Sequence, residues 1–316
     1  MEHLQFFSKF FKSLGNLEQE LQQEVEEKYS NVFVMGLPRS GTTLLSQILY
    51  NNTDLFCTNN FMARFWETPL VGAKLSSLSI TKKRLRSFDS FYGRTADIDQ
   101  PHEFSKFWHK CLKVEDFRGY EPEKVSSRID WRMLQSKILG INAILNGGLV
   151  FKPMEFAGFH LNSLLQTFNR AVFVYLERDA LEVTSSNLRA RKEAGEEQWW
   201  GSYPPSQVYE SLRGENLLDQ VAHQVCYFKA MYEGKFSECS GHSQLLRLNY
   251  RELCDSPNEA LAKIKDAVRK NGGELTFEPL PEPMAKSGFL GNSEEVLQMK
   301  QALKEASRAY PPESMA

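Results

Sequence analysis

The sequence predicts an α/β fold with a central parallel sheet flanked by helices and extended by helical insertions. Three observations carry this expectation. A run of four apolar residues, Val32–Met35, leads into a glycine-bounded turn and then a helical pattern from Thr42. A second apolar run, residues 171–176 (Ala-Val-Phe-Val-Tyr-Leu), leads into a helical pattern over 180–191. Between and after them, short strands alternate with longer helical stretches, the rhythm that builds parallel βαβ units. No Pro-, Gly- or Ser-rich linker divides the 316 residues, so one domain over 1–316 is expected, with an N-terminal helix in 1–30, a core over 31–270 and a tail over 271–316.

Residues 3–28 read as a helix that grows acidic toward its end, with Phe6, Phe7, Phe10, Phe11 and Leu14 on one face. Packing against the domain is the simpler use of that face; contact with a partner or a membrane surface is the other. Residues 31–36 read as a buried strand and 42–51 as the helix after the turn. The aromatic and basic stretch 61–113 reads as helices with loops. Residues 122–145 read as a long helix stopped by Asn146-Gly147-Gly148. Leu149–Phe151 is a short strand, 159–168 a helix, 171–176 a strand and 180–191 a helix. A polar loop over 194–206 holds Trp199, Trp200, Tyr203 and Pro204-Pro205. A helix to about residue 236, a strand over 244–248 and a helix over 256–270 follow. The tail is loop-rich, with Pro279, Pro281 and Pro283.

With 41% hydrophobic and 12% aromatic residues, the chain buries a sizeable core and is not disordered. Lys and Arg number 38 against 40 Asp and Glu. That balance gives no global basic field and argues against nucleic-acid binding as the main role. Cys57, Cys111, Cys226, Cys239 and Cys254 are scattered without a C-x-x-C pair, so they read as free thiols in a reducing compartment. No stretch reaches the roughly 18–20 apolar residues of a membrane span, and Lys9 and Lys12 interrupt any signal-like apolar region. A cytoplasmic protein is expected.

The chemistry starts at Gly36. The spacing from Gly36 to Gly41 is G-x-x-x-x-G, the phosphate-loop spacing, which normally continues with Lys and then Ser or Thr. Here Thr42 and Thr43 follow, and the cation, Arg39, sits inside the loop. Such a loop turns its N–H groups inward, borrows the positive end of the next helix and can neutralise an anion through Arg39. It lacks the lysine that phosphoryl transfer from ATP or GTP uses, and no acidic strand end reads as a metal partner. A second anion site is predicted at the end of the second strand. Arg178 sits at that C-terminal edge, where α/β sheets bind ligands, and Ser186 follows eight residues later, about two helical turns. An arginine with a hydroxyl suits a phosphate monoester.

Together the two sites resemble those of sulfotransferases that use 3′-phosphoadenosine 5′-phosphosulfate (PAPS). Residues 38–43, Pro-Arg-Ser-Gly-Thr-Thr, resemble the family's 5′-phosphosulfate loop, and residues 175–186 resemble its 3′-phosphate motif, in the family's order. The resemblance covers residues 31–270 and is greatest to the superfamily that includes tyrosylprotein and bacterial sulfotransferases. It implies a P-loop-like fold and PAPS as donor. It also implies that Arg39, Ser40, Gly41, Thr42 and Thr43 hold the 5′-phosphosulfate and that Arg178 and Ser186 hold the 3′-phosphate. Lys152 resembles a family lysine that stabilises charge on the bridging oxygen. By position, Tyr250 and Lys286, in Ala-Lys-Ser-Gly, close over the nucleotide.

In some relatives the base is a Glu about twenty residues after the loop arginine; here residues 57–61, Cys-Thr-Asn-Asn-Phe, carry no carboxylate. The expected base is instead Glu103, with His102 as alternative or helper, in Asp-Gln-Pro-His-Glu-Phe (99–104). Pro101 in a first helical turn would set both at a helix N-terminus. Glu155 and His160 are further candidates. Trp199-Trp200, in a polar loop, reads as an acceptor lid. The expected reaction is sulfonyl transfer to a hydroxyl or amine of a small-molecule acceptor: an alcohol, phenol, amine or natural product. The alternatives are a divergent P-loop kinase or NTPase, and a non-catalytic nucleotide-binding module.

Overall fold

The computed structural model describes residues 2–80, 88, 90, 93–153, 155–195, 200–281, 284 and 291–311. Lys286 and Trp199 lie outside the described residues, as do the side chains of Phe7 and Phe11. In chain order the elements are α1 (Glu2–Leu21), β1 (Val32–Met35), α2 (Thr42–Asn52), β2 (Phe56–Cys57), α3 (Pro69–Ser79), α4 (Ser105–Cys111), α5 (Pro122–Val125) and α6 (Trp131–Leu145). Then follow β3 (Leu149–Phe151), α7 (Glu155–Phe159), α8 (Leu161–Thr167), β4 (Val172–Glu177), α9 (Ala180–Glu193), α10 (Ser206–Leu212) and α11 (Leu217–Glu238). The chain closes with β5 (Leu245–Asn249), α12 (Tyr250–Asp255), α13 (Pro257–Lys270) and α14 (Ser293–Ser307).

The strands form one parallel sheet in the order β2-β3-β1-β4-β5. Side chains alternate across a pleated strand, so a strand buried on both faces carries two different cores. Here the odd positions are aromatic-rich: Phe33 stacks on Phe173 at 4.8 Å and on Phe151 at 5.1 Å, with Trp108 edge-on at 6.1 Å. The even positions, Val32, Val34, Val150, Val172, Val174 and Leu176, build an aliphatic core against α2 and α13.

Register decides where the chemistry emerges. Met35 pairs with Tyr175 and Phe33 with Phe151, so β3, β1 and β4 end side by side. Their following segments deliver Lys152, the 36–41 loop and Arg178 to one sheet edge.

Several elements differ from the sequence expectation. The helix expected over 122–145 is broken: α5 and a 3₁₀ turn, Ser126–Arg128, precede α6, because Asp130 caps α6 by accepting a 2.9 Å bond from the Met133 N–H. The helix expected over 159–168 is interrupted at His160, the N-cap of α8. The first helix ends at Leu21, short of residue 28. Its Glu18 is buried, and one carboxylate oxygen accepts 3.0 Å bonds from the backbone N–H groups of Leu70 and Val71 while the other pairs with Lys137 at 2.7 Å. Those N–H groups belong to the first turn of α3, which no side chain of its own segment caps. The aromatic face is only partly covered: Phe10 packs on Phe65 at 6.4 Å and stacks on Phe6 at 6.2 Å, and both Phe10 and Phe6 remain exposed.

Candidate active site

The loop after β1 is shaped by two residues in left-handed backbone, Arg39 at φ 71° and Gly41 at φ 100°. Gly41 tolerates that conformation because it has no side chain. It also has no room for one: an added Cβ would lie 2.6 Å from the Tyr250 ring. Tyr250 is buried and receives the Arg178 guanidinium over its face at 4.1 Å. The residue read from position alone as a nucleotide cover therefore packs directly on the loop.

The two anion sites are physically joined. Arg178 donates to the Arg39 carbonyl at 3.0 Å, and Arg39 Nε donates to Ser186 Oγ at 3.1 Å. Glu182 fixes Arg178 through a 3.0 Å ion pair and also binds Arg251 at 2.7 Å. Against the effect of burial, these two arginines hold the Glu182 carboxyl below its usual range. Burial pushes the Arg39 guanidinium down, and the charges of Arg178 and Arg189 add to it. Cations crowded this way are relieved by an anion.

Thr42 and Thr43 open α2 beneath the loop and line a cavity of about 1140 Å³ shared by Arg39, Arg178 and Tyr250. Ser40 is placed differently from its expectation: its side chain is fully buried, its hydroxyl has no partner among the described residues, and its N–H closes the loop onto the Leu37 carbonyl at 3.0 Å. Ser186 likewise is absent from the residues lining the cavity and meets the site through Arg39.

Across the cavity, Lys152 is 9% exposed and bridges both halves. Its ammonium donates to Thr43 Oγ1 at 2.8 Å and to the Gly93 carbonyl at 3.2 Å, and pairs with Glu103 Oε1 at 2.8 Å. Burial opposes ionisation of Glu103, but the charge and hydrogen bond of Lys152, aided by His102 and Arg94, hold the carboxyl below its ordinary range.

The family model described as "Sulfotransferase family" matches residues 31–269. The chain belongs to the sulfotransferase family. No curated protein matches it significantly. Among solved structures it is similar to the sulfotransferase STF9 from Mycobacterium avium, with 15% identity, 93% of this chain and 72% of that chain covered and a TM-score of 0.48. STF1 from Mycobacterium tuberculosis H37Rv gives 15% identity, 98% and 80% coverage and a TM-score of 0.46. The sulfotransferase domain of the Synechococcus PCC 7002 olefin synthase gives 14% identity, 80% and 78% coverage and a TM-score of 0.40. The membership rests on the sequence match.

In this sulfotransferase the base candidates separate by geometry. Glu103 and His102 reach the cavity, but not from a helix N-terminus. Residues 98–102 pair with 58–61: the His102 N–H donates to the Thr58 carbonyl at 2.7 Å, the Asn60 N–H to Gln100 at 3.1 Å and the Phe61 N–H to Ile98 at 3.0 Å, with Pro101 bridged to Asn59. The chain then turns through buried Phe104, at φ 55°, before α4 begins at Ser105. Pro101, which carries no N–H, thus marks an extended pairing rather than a first helical turn.

His102 Nδ1 accepts the Phe104 N–H at 2.8 Å, so a neutral ring carries its proton on Nε2. Burial holds that ring neutral, with Glu103 opposing and Lys152 and Arg94 adding to the effect. With one nitrogen occupied by a donor and the other protonated, His102 donates rather than accepts.

Glu155 lines the cavity, yet both its oxygens are engaged: Ser202 Oγ donates to Oε2 at 2.8 Å and the Tyr203 N–H to Oε1 at 3.2 Å. Burial pushes its carboxyl up to about 7, against the bonds it accepts. His160 is not among the lining residues; it is buried, with Nε2 2.6 Å from Tyr120 Oη, and desolvation lowers it to about 4. The Trp199-Trp200 lid does not hold at Trp200, which is 2% exposed, packed on Tyr209 at 5.2 Å and beneath the Arg191 guanidinium at 4.9 Å.

Several cavity residues were not foreseen, His109 among them. His109 on α4 lines the site between Phe117 and Phe156, and desolvation lowers it to about 4 despite the nearby Glu103 charge. Its i+6 spacing from Glu103 carries no helical signal, because the helix starts between them. Among the described residues no helix is long and apolar enough to cross a membrane.

Proposed function

We propose that this sulfotransferase moves a sulfonyl group from PAPS to a hydroxyl or amine of a small-molecule acceptor, with Glu103 as the base. One observation carries the reading: Lys152 is bonded at once to Thr43 of the loop and to Glu103. The group that meets donor charge and the group that takes the acceptor proton are one side chain apart.

In the step, the acceptor oxygen or nitrogen bonds to sulfur, and its proton passes to the Glu103 carboxylate. The bond from sulfur to the bridging oxygen of the 5′-phosphate breaks, and adenosine 3′,5′-bisphosphate leaves with that electron pair. Arg39, the Gly41 backbone, Thr42 and Thr43 hold the phosphosulfate, while Ser40 maintains the loop from behind. Lys152 and Arg39 meet the charge that develops on the leaving phosphate. Arg178 takes the 3′-phosphate, with Ser186 orienting Arg39 and Tyr250 closing over the nucleotide. The lowered Glu103 carboxyl is ionised at neutral pH, so it is ready to accept a proton. His102 helps as a neutral donor. The five cysteines are thiols rather than disulfides, which supports a reducing, cytoplasmic setting.

The test is calorimetry with adenosine 3′,5′-bisphosphate in the absence of Mg²⁺, followed by mass spectrometry of an acceptor panel incubated with PAPS. Binding that Arg178→Ala weakens about 100-fold, and formation of a sulfated product that Glu103→Gln slows by roughly 10²–10⁴, are expected. No binding to the wild-type protein would sink the donor assignment.

A further inference from the structure

The acceptor half of the cavity is walled by rings contributed by four separate segments. His109 from α4 lies 4.8 Å from Phe117 and edge-on to Phe156 of α7 at 5.6 Å. Phe117 in turn stacks on Tyr203 at 6.1 Å and 19°. All four residues line the cavity, and Phe117 is 42% exposed. Glu103 lines the same cavity as these four rings. An acceptor lying along the rings therefore shares that cavity with the Glu103 carboxylate.

Tyr203 belongs to no helix or strand, yet its position is determined. The segment 200–203 is pinned by two buried side chains from different helices. Gln224 of α11 donates to the carbonyls of Trp200 and Ser202. Glu155 of α7 accepts from the Ser202 hydroxyl and the Tyr203 N–H. Of the two, Glu155, 5% exposed, is the one that also lines the cavity. A carboxyl buried this far is costly unless its oxygens are satisfied, and here both are.

We propose that this ring-lined cleft takes a flat aromatic acceptor carrying its hydroxyl toward Glu103, and that Glu155 is the positioning residue that holds the Tyr203 side of the cleft. Flat rings gain most from such a wall, through offset and edge contacts added to apolar burial. Glu155 engages Ser202 and Tyr203 with its two oxygens and acts through them. The inference rests on the acceptor half of the proposed function.

The experiment titrates 2-naphthol by calorimetry into wild-type protein, with and without saturating adenosine 3′,5′-bisphosphate, and repeats it on Glu155→Ala, Glu155→Gln and Phe117→Ala. Glu155→Ala and Phe117→Ala are each expected to weaken naphthol binding about tenfold while leaving bisphosphate affinity within about twofold of wild type. Glu155→Gln restores the binding: its amide oxygen accepts the Tyr203 N–H, and its NH₂ donates to a rotated Ser202 hydroxyl. Unchanged bisphosphate affinity shows that the Ala variants are folded. Wild-type protein that does not take up 2-naphthol, or equal naphthol affinity in wild type and Glu155→Ala, overturns the proposal. Failure of the bisphosphate to bind instead defeats the donor assignment, and the titration without nucleotide still judges the cleft.

Discussion

The donor and acceptor halves of this cavity are built by opposite means. The donor half is centred on two contiguous segments, each a strand followed by a turn and a helix, joined where Arg178 meets the Arg39 carbonyl and Arg39 meets Ser186, with Tyr250 of α12 packed over Gly41. The acceptor half is assembled from separate segments around 58–61, 93–109, 117, 152–153, 155–156 and 200–203, brought together by backbone pairing of 58–61 with 98–102 and by side chains such as Lys152, Glu155 and Gln224. A polyanionic donor needs oriented N–H groups and arginines at fixed spacing. An acceptor needs a surface, and a surface can be made from any elements that meet. Lys152 is bonded to both sides, and the residues to either side of it make the comparison testable one half at a time.

The largest expected effect falls on the acceptor side. Glu103→Gln should lower kcat by roughly 10²–10⁴, as removal of a general base does, while calorimetry finds bisphosphate affinity nearly unchanged. A joint loss of both would mean that the halves are not separable. Next is Arg178→Ala on the donor side. It removes charge-assisted bonds and the anchor of the Arg39 carbonyl, and should weaken bisphosphate binding about 100-fold, or ~3 kcal/mol.

Glu155→Gln probes stability rather than turnover. The folded carboxyl is raised to about 7 from an ordinary 4.5, so the folded state keeps a proton that the unfolded chain has released. Wild-type stability should therefore fall as pH rises from about 4.5 through 7, by roughly 3 kcal/mol at most, and level off above. The substituted amide does not titrate, so the variant's advantage in thermal unfolding should grow across that window; a pH-independent difference would contradict the buried carboxyl. Gly41→Ala comes after it. The left-handed backbone alone costs roughly 1–3 kcal/mol, and the Tyr250 ring stands in the way, so both melting temperature and bisphosphate affinity should drop. The smallest effect is an absence: with His109 near 4 and His102 also lowered, the kcat/KM profile should show no imidazole step between about pH 6 and 8.

The same contrast explains what could be read from the sequence. Val32–Met35 and residues 171–176 announce their strands because a strand buried on both faces is apolar throughout, and the loop between strand and helix is contiguous. Parallel register then places Arg39 near Arg178 without further information. Glu103 was identifiable as a carboxylate in a suggestive setting, but for the wrong local reason: its position comes from backbone pairing with residues some forty positions earlier, which no local pattern encodes. His109 and the latch at Glu155 were illegible on the same ground. Trp200 misled because a tryptophan in a polar stretch looks exposed, whereas Tyr209 and Arg191 cover it from elsewhere in the chain.

Glu18 sets a practical boundary. The family match begins at residue 31, yet the carboxylate that completes the first turn of α3 and neutralises Lys137 on α6 comes from residue 18. A fragment trimmed to the matched segment would strip two N–H groups and a lysine of their shared counter-charge while leaving every named site residue but Lys286 in place. The segment that the family model matches is thus narrower than the segment that folds together, and any shortened form of this enzyme should keep α1.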